Sequence, residues 1–199
     1  MIKRIFDLVL SIMGLLIFLP LFIYICLAIY LIDGRPIFFL QNRIGKGGKV
    51  FKIIKFRSMR RASSPYEDVD LLENDTRVTS IGRILRATAM DELPQLINIL
   101  RGEMSFVGPK PLPYLIEDEE SKRYKYLDQV PGYQARSSVV PGLTGLAQIY
   151  APKNSSRKEK FKFDYDYVKT QSIFLDIKLI FISFYITLKG RWESGYKKI

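Results

Sequence analysis

The 199-residue sequence predicts an α+β protein, a mostly helical and irregular domain with one β-hairpin, attached to an N-terminal membrane-inserted helix. Three observations predict it. No charged residue occurs over the roughly 25 positions from Leu8 to Ile32, a length able to cross a bilayer as a helix. Two short extended runs, Pro36 to Leu40 and Val50 to Met59, flank the turn-rich stretch Gly45-Lys46-Gly47-Gly48-Lys49. Leu93, Leu96, Ile97 and Leu100 recur at the spacing of a helix with one buried face. Residues 1–34 are therefore read as the membrane helix, kinked at Pro20, and residues 35–199 as the domain that carries the site.

In the N-terminal run, Pro20 lacks an N–H and clashes with the preceding turn, so the helix should kink there. Lys3 and Arg4 precede the run, while Arg35, Arg43, Lys46 and Lys49 follow it, so charge bias assigns no orientation. Two forms stand: a kinked spanning helix, which bilayer physics favours because irregular backbone in lipid is costly, and a re-entrant hairpin with both ends on one face. The run is too long for a cleavable leader, and its Tyr30-Leu31-Ile32-Asp33 exit lacks small residues, so the segment is expected to be retained.

The hairpin turn is basic and glycine-rich but lacks the Gly-Lys-Ser/Thr ending of a P-loop, so it reads first as a turn and second as a phosphate contact. Residues 62–75 are polar and acidic and read as a surface loop. The helix from Leu93 has legible ends: Asp91 as its cap, Pro94 in its first turn, and Arg101-Gly102 as its stop. Phe174 to Lys189 is apolar but interrupted by Asp176 and Lys178. With Lys189, Arg191, Trp192 and Tyr196 beyond, it reads as an interfacial or a core helix.

Composition narrows the chemistry. The chain has no histidine and a single cysteine, Cys26, which removes imidazole catalysis, intrachain disulfides and cysteine zinc sites. The net charge of +11 calls for an acidic partner: anionic lipid, nucleic acid or a phosphorylated substrate. Within that frame one constellation stands out: Arg83 and Arg86, then Asp91-Glu92, then Gly108-Pro109-Lys110-Pro111. The plain reading makes the acids a cap favoured by the helix dipole and Lys110 a solvated side chain. In the chemical reading, a carboxylate binds Mg2+ and attacks phosphorus, Arg86 neutralises a phosphoryl group, and Lys110 between two prolines holds a nucleotide phosphate.

Arg86 to Gln95, reading Arg-Ala-Thr-Ala-Met-Asp-Glu-Leu-Pro-Gln, and Gly102 to Leu112, reading Gly-Glu-Met-Ser-Phe-Val-Gly-Pro-Lys-Pro-Leu, resemble the signature of the monotopic phosphoglycosyl transferases, the bacterial sugar transferase family. The resemblance extends through Lys55-Phe56-Arg57, Pro141 to Gln148, and the tail from Asp164 through Asp176. It implies transfer of a sugar 1-phosphate from a UDP-sugar to polyprenyl (undecaprenyl) phosphate with release of UMP, the first membrane step of bacterial glycoconjugate and polysaccharide assembly. It implies that Asp91 attacks the β-phosphate and becomes covalently loaded. Glu92 assists at the Mg2+ that both acids hold, Arg86 binds phosphate, and the loop of Pro109, Lys110 and Pro111 meets the nucleotide.

The same resemblance implies a re-entrant helix broken at Pro20, interfacial amphipathic helices, contact with membrane lipids, and a domain on the cytoplasmic face of the inner membrane. Asp164 and Asp176 take structural or supporting roles. Two positions depart from the family pattern: Lys110 where arginine is usual, which replaces a bidentate contact by a point charge, and Leu19 where a serine usually precedes the proline. The chain reads as the minimal catalytic form. A one-step transfer without a covalent intermediate is the alternative within the class. Outside it stand a membrane-tethered basic nucleic-acid binder and a scaffold without catalysis. No nucleic-acid module is recognisable, so no such partner is expected.

Overall fold

The computed structural model describes residues 2–60, 76–114, 130–152, 155–190 and 192. The loop read at 62–75 and the tail positions Arg191 and Tyr196 lie outside the described residues. The helices are α1 (Ile2–Ile17), α2 (Leu19–Ala28, continued by a π turn to Asp33), α3 (Ser80–Ala87), α4 (Gln95–Arg101), α5 (Tyr133–Ser137), α6 (Leu146–Tyr150), α7 (Arg157–Thr170) and α8 (Ile173–Leu188). The strands are β1 (Phe38–Ile44), β2 (Val50–Phe56), β3 (Ser105–Val107), β4 (Leu112–Pro113) and β5 (Gly142–Thr144). The fold is α+β and mostly helical, and the described residues form two small sheets ordered β2-β1-β4 and β3-β5.

The N-terminal run is a bent pair. Among the described residues no single helix is long and apolar enough to cross a membrane, but α1 and α2 together meet that test and are bent by 59° at their junction. The break falls at Phe18, two residues before Pro20, because the missing proline N–H leaves its bond to the preceding turn unmade. Both ends of the pair are tied to the same domain. At the start, Lys3 Nζ donates to Asp176 at 2.5 Å, and Arg4 caps α4 by donating to the Ile99 and Leu100 carbonyls at 2.6 and 2.8 Å. At the end, Arg57 donates to the Asp33 and Gly34 carbonyls at 2.6 and 2.8 Å. Buried Asp7 accepts from Ser105 Oγ and the Phe106 N–H, pinning α1 to β3. Ile5, Val9, Ile12 and Leu16 on α1, Ile23 and Leu27 on α2, and Phe181, Phe184 and Leu188 on α8 are exposed. The paired helices thus hold the domain with one side and present apolar residues on the other.

The hairpin forms around the expected turn, with Ile44 opposite Val50. Its first strand is longer than the sequence suggests, since Gln41 to Ile44 continue the ladder beyond Leu40. β2 is the sheet edge, and α4 closes it through one side chain. Asn98 accepts from the Ile54 N–H at 3.0 Å and donates to the Lys52 carbonyl at 2.8 Å, filling the place of a neighbouring strand. This rotates α4 relative to the apolar spacing, so its buried residues are Gln95, Leu96, Asn98 and Ile99. A buried polar residue makes two strand bonds, which outweighs the gain from turning Ile97 inward. The helix stops as read, at Gly102 with φ 82.

The second sheet places the Gly108 to Pro111 loop. β3 and β5 run parallel, with Ser105 beside Gly142 and Val107 beside Thr144. Their backbones approach so closely that a Cβ on Gly142 would lie 2.0 Å from the Gly108 nitrogen and 2.5 Å from the Thr144 oxygen. Both are backbone atoms that cannot rotate away. Gly142→Ala should therefore destabilise the protein by about 3 kcal/mol, an overpacking cost. Thermal denaturation in detergent checks this, and an unchanged midpoint would contradict the packing.

α8 is neither purely interfacial nor purely core. Leu179 and Ile186 bury against Val107, Ile149 and Tyr167, while Phe174, Phe181 and Leu188 stay exposed.

Candidate active site

Asp91 is delivered by a tight connection between α3 and α4. α3 starts on Thr79, whose side chain accepts from the Gly82 N–H at 2.9 Å, and ends at Thr88, whose hydroxyl bonds back to the Ile84 carbonyl at 2.8 Å. The next residue, Ala89, is left-handed with φ 53, a conformation costly for a residue with a Cβ and held here by the turn it starts. Met90–Glu92 form one 3-10 turn closed by Glu92 N–H to the Ala89 carbonyl at 3.1 Å. The expectation that Asp91 caps the following helix is corrected by this turn. Pro94 occupies the cap of α4 and no side-chain capping bond is made, because the extra turn carries Asp91 away from the helix axis. Met90 and Leu93 pack on Ile25, Ile29, Phe56 and Leu85, so the turn is seated on α2.

Lys55 lies between the two acids. Its Nζ is 2.6 Å from Glu92 Oε1 and 3.8 Å from Asp91 Oδ2. Asp91 is only 8% exposed. Burial raises its carboxyl, partly opposed by Lys55, and with Glu92 adding to the rise it is pushed up to about 6. Burial would raise Glu92 as well, but Lys55, Lys110 and Arg43 outweigh that effect and hold it below the usual glutamate range. Burial also opposes charge on Lys55, yet Glu92 and Asp91 more than compensate and raise it. Two neighbouring acids are thus made unlike. Glu92 is firmly ionised and paired, while Asp91 is the less solvated and more basic carboxylate.

The other expected residues converge here. Arg86 and Lys110 both act electrostatically on Asp91, and Arg86 also reaches Met59 Sδ at 3.4 Å. Arg83 lies on the exposed side of α3, apart from this cluster. The Lys110 loop is rigid because each carbonyl across it is engaged. Pro109 accepts from the Gly142 N–H at 2.9 Å, Lys110 from Arg136 at 2.5 Å, and Pro111 from Arg43 at 3.4 Å. Arg136 is itself buried, donating to Asp164 at 3.0 Å and stacked over Phe161 at 4.4 Å. Asp164 therefore braces the loop through Arg136, and Asp176 anchors Lys3 and the Tyr167 hydroxyl, which are the supporting roles assigned to both.

Sequence reasoning missed Lys55, Arg43 and Arg136. Lys55 belongs to the Lys55-Phe56-Arg57 motif, but only the register of β2 against the Asp91 turn shows what it touches. Arg43 reads in the sequence only as one of the basic residues after the apolar run, and Arg136 carries no motif.

Four cations, Arg43, Lys55, Arg86 and Lys110, thus surround two carboxylates, which suits a ligand carrying several negative charges. Carboxylate oxygens are also ligands of the kind that Mg2+, a hard cation, accepts beside water and phosphate oxygens. Among the described residues no third acidic side chain joins them.

A family model described as bacterial sugar transferase matches residues 1–190. The UDP-glucose:undecaprenyl-phosphate glucose-1-phosphate transferase of Escherichia coli is 37% identical over 188 residues, covering 92% of this chain and 39% of that protein. The Caulobacter vibrioides protein of the same name is 39% identical over 183 residues, covering 89% of this chain and 66% of that protein. The exopolysaccharide production protein ExoY of Rhizobium meliloti is 39% identical over 196 residues, covering 91% of this chain and 83% of that protein. The chain thus spans about two fifths of the E. coli relative's length and just under two thirds of the Caulobacter relative's.

Proposed function

Because the chain belongs to the bacterial sugar transferase family, we propose that it moves a sugar 1-phosphate from a UDP-sugar to polyprenyl phosphate, through a covalent phosphosugar on Asp91. The observation that supports this best is a buried Asp91 carboxyl 3.8 Å from the Lys55 ammonium, which pairs Glu92 at 2.6 Å, with Arg86, Arg43 and Lys110 acting on the two acids. A desolvated carboxylate is a better nucleophile than a solvated one, and the cations favour the charge that develops on a transferring phosphoryl group.

In the first step an Asp91 carboxylate oxygen bonds to the β-phosphorus as the bond from that phosphorus to the bridging oxygen breaks, and UMP leaves with the bonding electrons. In the second, an oxygen of polyprenyl phosphate attacks the same phosphorus and the Asp91 carboxylate is regenerated. Arg86 neutralises the transferring phosphoryl group. Pro109, Lys110 and Pro111 hold the nucleotide side, with the Lys110 ammonium presented by a loop whose carbonyls are engaged. Glu92, with Lys55, keeps the Asp91 turn oriented. Mg2+, held by Asp91 and Glu92, would offset phosphate charge when bound.

The bent α1–α2 pair supports a re-entrant insertion into the cytoplasmic leaflet of the bacterial inner membrane. Both of its ends bond to one domain, which a spanning helix of this length would prevent, and its outward face is apolar together with that of α8. The Asp91 turn rests on α2, so the nucleophile would sit at the membrane surface, where a soluble UDP-sugar and a lipid phosphate meet.

The test is UMP release by the purified protein in detergent with Mg2+, a panel of UDP-sugars, and undecaprenyl phosphate present or absent. Release from at least one donor, with a sugar-phosphate mass adduct on the Asp91 peptide, is the expected result. A folded protein silent toward every donor, yet binding random DNA in a salt-dependent manner, would favour the nucleic-acid reading instead.

A further inference from the structure

α1 is built inside out. Its buried residues are Asp7 and Ser11, one turn apart, while Ile5, Val9, Ile12 and Leu16 on its other side are exposed. A carboxylate taken out of water needs hydrogen-bond donors to offset its lost hydration. Asp7, only 4% exposed, finds two, and both belong to β3: its Oδ1 accepts from Ser105 Oγ at 3.0 Å and from the Phe106 N–H at 3.1 Å. In its sheet β3 has one neighbour, β5, and side chains hold it elsewhere. Besides Asp7, the buried Tyr167 hydroxyl lies 3.0 Å from the Val107 carbonyl oxygen and 2.8 Å from Asp176 Oδ1, and Asp176 pairs with Lys3, one turn before Asp7 on α1.

Beyond Val107 the chain enters the Lys110 loop. The Gly108 N–H donates to the Thr144 carbonyl at 2.9 Å, and the Pro109 carbonyl accepts from the Gly142 N–H at 2.9 Å. Gly108 is packed so closely that a Cβ there would lie 2.5 Å from the Val140 carbonyl oxygen. A close-packed junction passes displacement on rather than absorbing it, so a shift of β3 reaches the loop. We propose that Asp7 is a positioning residue of the donor site: by fixing β3 it sets where Lys110 stands, so the apolar N-terminal helix takes part in nucleotide binding and is not an anchor alone. This deepens the transferase reading and rests on it. Asp7 touches neither donor nor acceptor. Its effect travels from Phe106 through a few residues of backbone to one ammonium, whose charge acts on both Asp91 and Glu92. Small misplacements of such a group are costly.

The experiment is steady-state UMP release by the full chain in detergent, with circular dichroism reporting the folded fraction. Asp7→Ala should raise KM for the UDP-sugar about tenfold, the loss expected when one charge-assisted contact is misplaced. KM for polyprenyl phosphate should be unchanged. The rising pH limb should stay at about 6, because Lys55 and Arg86 weigh more on Asp91 than Lys110 does and lie on β2 and α3. Asp7→Asn keeps a carbonyl oxygen for both β3 donors and should restore most of the donor affinity. In a Lys110→Ala background Asp7→Ala should add little to KM, since both changes remove the same contact. A full further rise in that background, or an unchanged KM with only a lower thermal midpoint, would overturn the inference and leave the transferase reading standing. Asp7→Leu, which keeps the side-chain volume, carries the test if Asp7→Ala does not fold. If neither folds, the carboxylate serves folding alone and the inference falls. Silence of the unsubstituted protein toward every UDP-sugar would instead sink the transferase reading and this inference with it.

Discussion

Asp91→Asn should lower UMP release by about three orders of magnitude or more and remove the sugar-phosphate adduct entirely, because a carboxamide is no nucleophile toward phosphorus. The substitution is nearly isosteric, so the 3-10 turn and the packing of Met90 and Leu93 on α2 should survive, and a thermal midpoint close to the unsubstituted protein would show it. The decisive reading is taken without acceptor. A covalent mechanism releases about one equivalent of UMP per site from UDP-sugar alone, and Asp91→Asn must lose that burst. Substantial acceptor-dependent release by Asp91→Asn, with no burst from either protein, would mean direct transfer to the lipid phosphate, and the covalent assignment would have to be withdrawn. Glu92 cannot stand in, because Lys55 pairs it at 2.6 Å and keeps it the weaker base of the two.

Lys55→Met should be the second most damaging change, and its signature is in the pH profile. Burial pushes Asp91 up to about 6 even though Lys55 is the strongest influence holding it down. The active form of a carboxylate nucleophile is ionised, so the first half-reaction should rise with pH through about 6 in the unsubstituted protein and level off above it. Removing the Lys55 ammonium removes the main stabiliser of the ionised form. The rising limb must then move to higher pH, and activity at neutral pH should fall by about one hundredfold or more. It also leaves buried Asp91 and half-buried Glu92 short of a partner, at a cost to stability of about 3 kcal/mol, the low end for breaking a buried pair because Arg86, Arg43 and Lys110 remain nearby. Lys55→Arg keeps the charge and should retain the limb near 6 even where geometry lowers the rate. Were Lys55→Met to leave the limb in place, Lys55 would have no electrostatic hold on Asp91.

Much of this protein is legible in its sequence. The uncharged run from Leu8, the break near Pro20, the turn at Gly45 to Lys49, the glycine stop at Gly102 and the Asp91-Glu92 pair are local features. Propensity, charge and the special conformations of glycine and proline act over a few residues, so position in the chain suffices to read them. Motif order added Arg86 and the Pro109 to Pro111 loop, which the fold brings to the acids. Local reading failed where long-range contacts outweigh local preference. Asn98 turns α4 by answering an open strand edge 44 residues away, and an extra 3-10 turn moves Asp91 off the helix it was expected to cap. The tertiary structure alone decided that Lys55 sits between the acids, that Arg136 and Asp164 brace Lys110, and that both ends of the apolar helix pair bond to one domain. Each joins residues more than 20 positions apart, and each answers a charge that the fold takes out of water with an opposite charge or a backbone carbonyl, which a sequence read in order does not display.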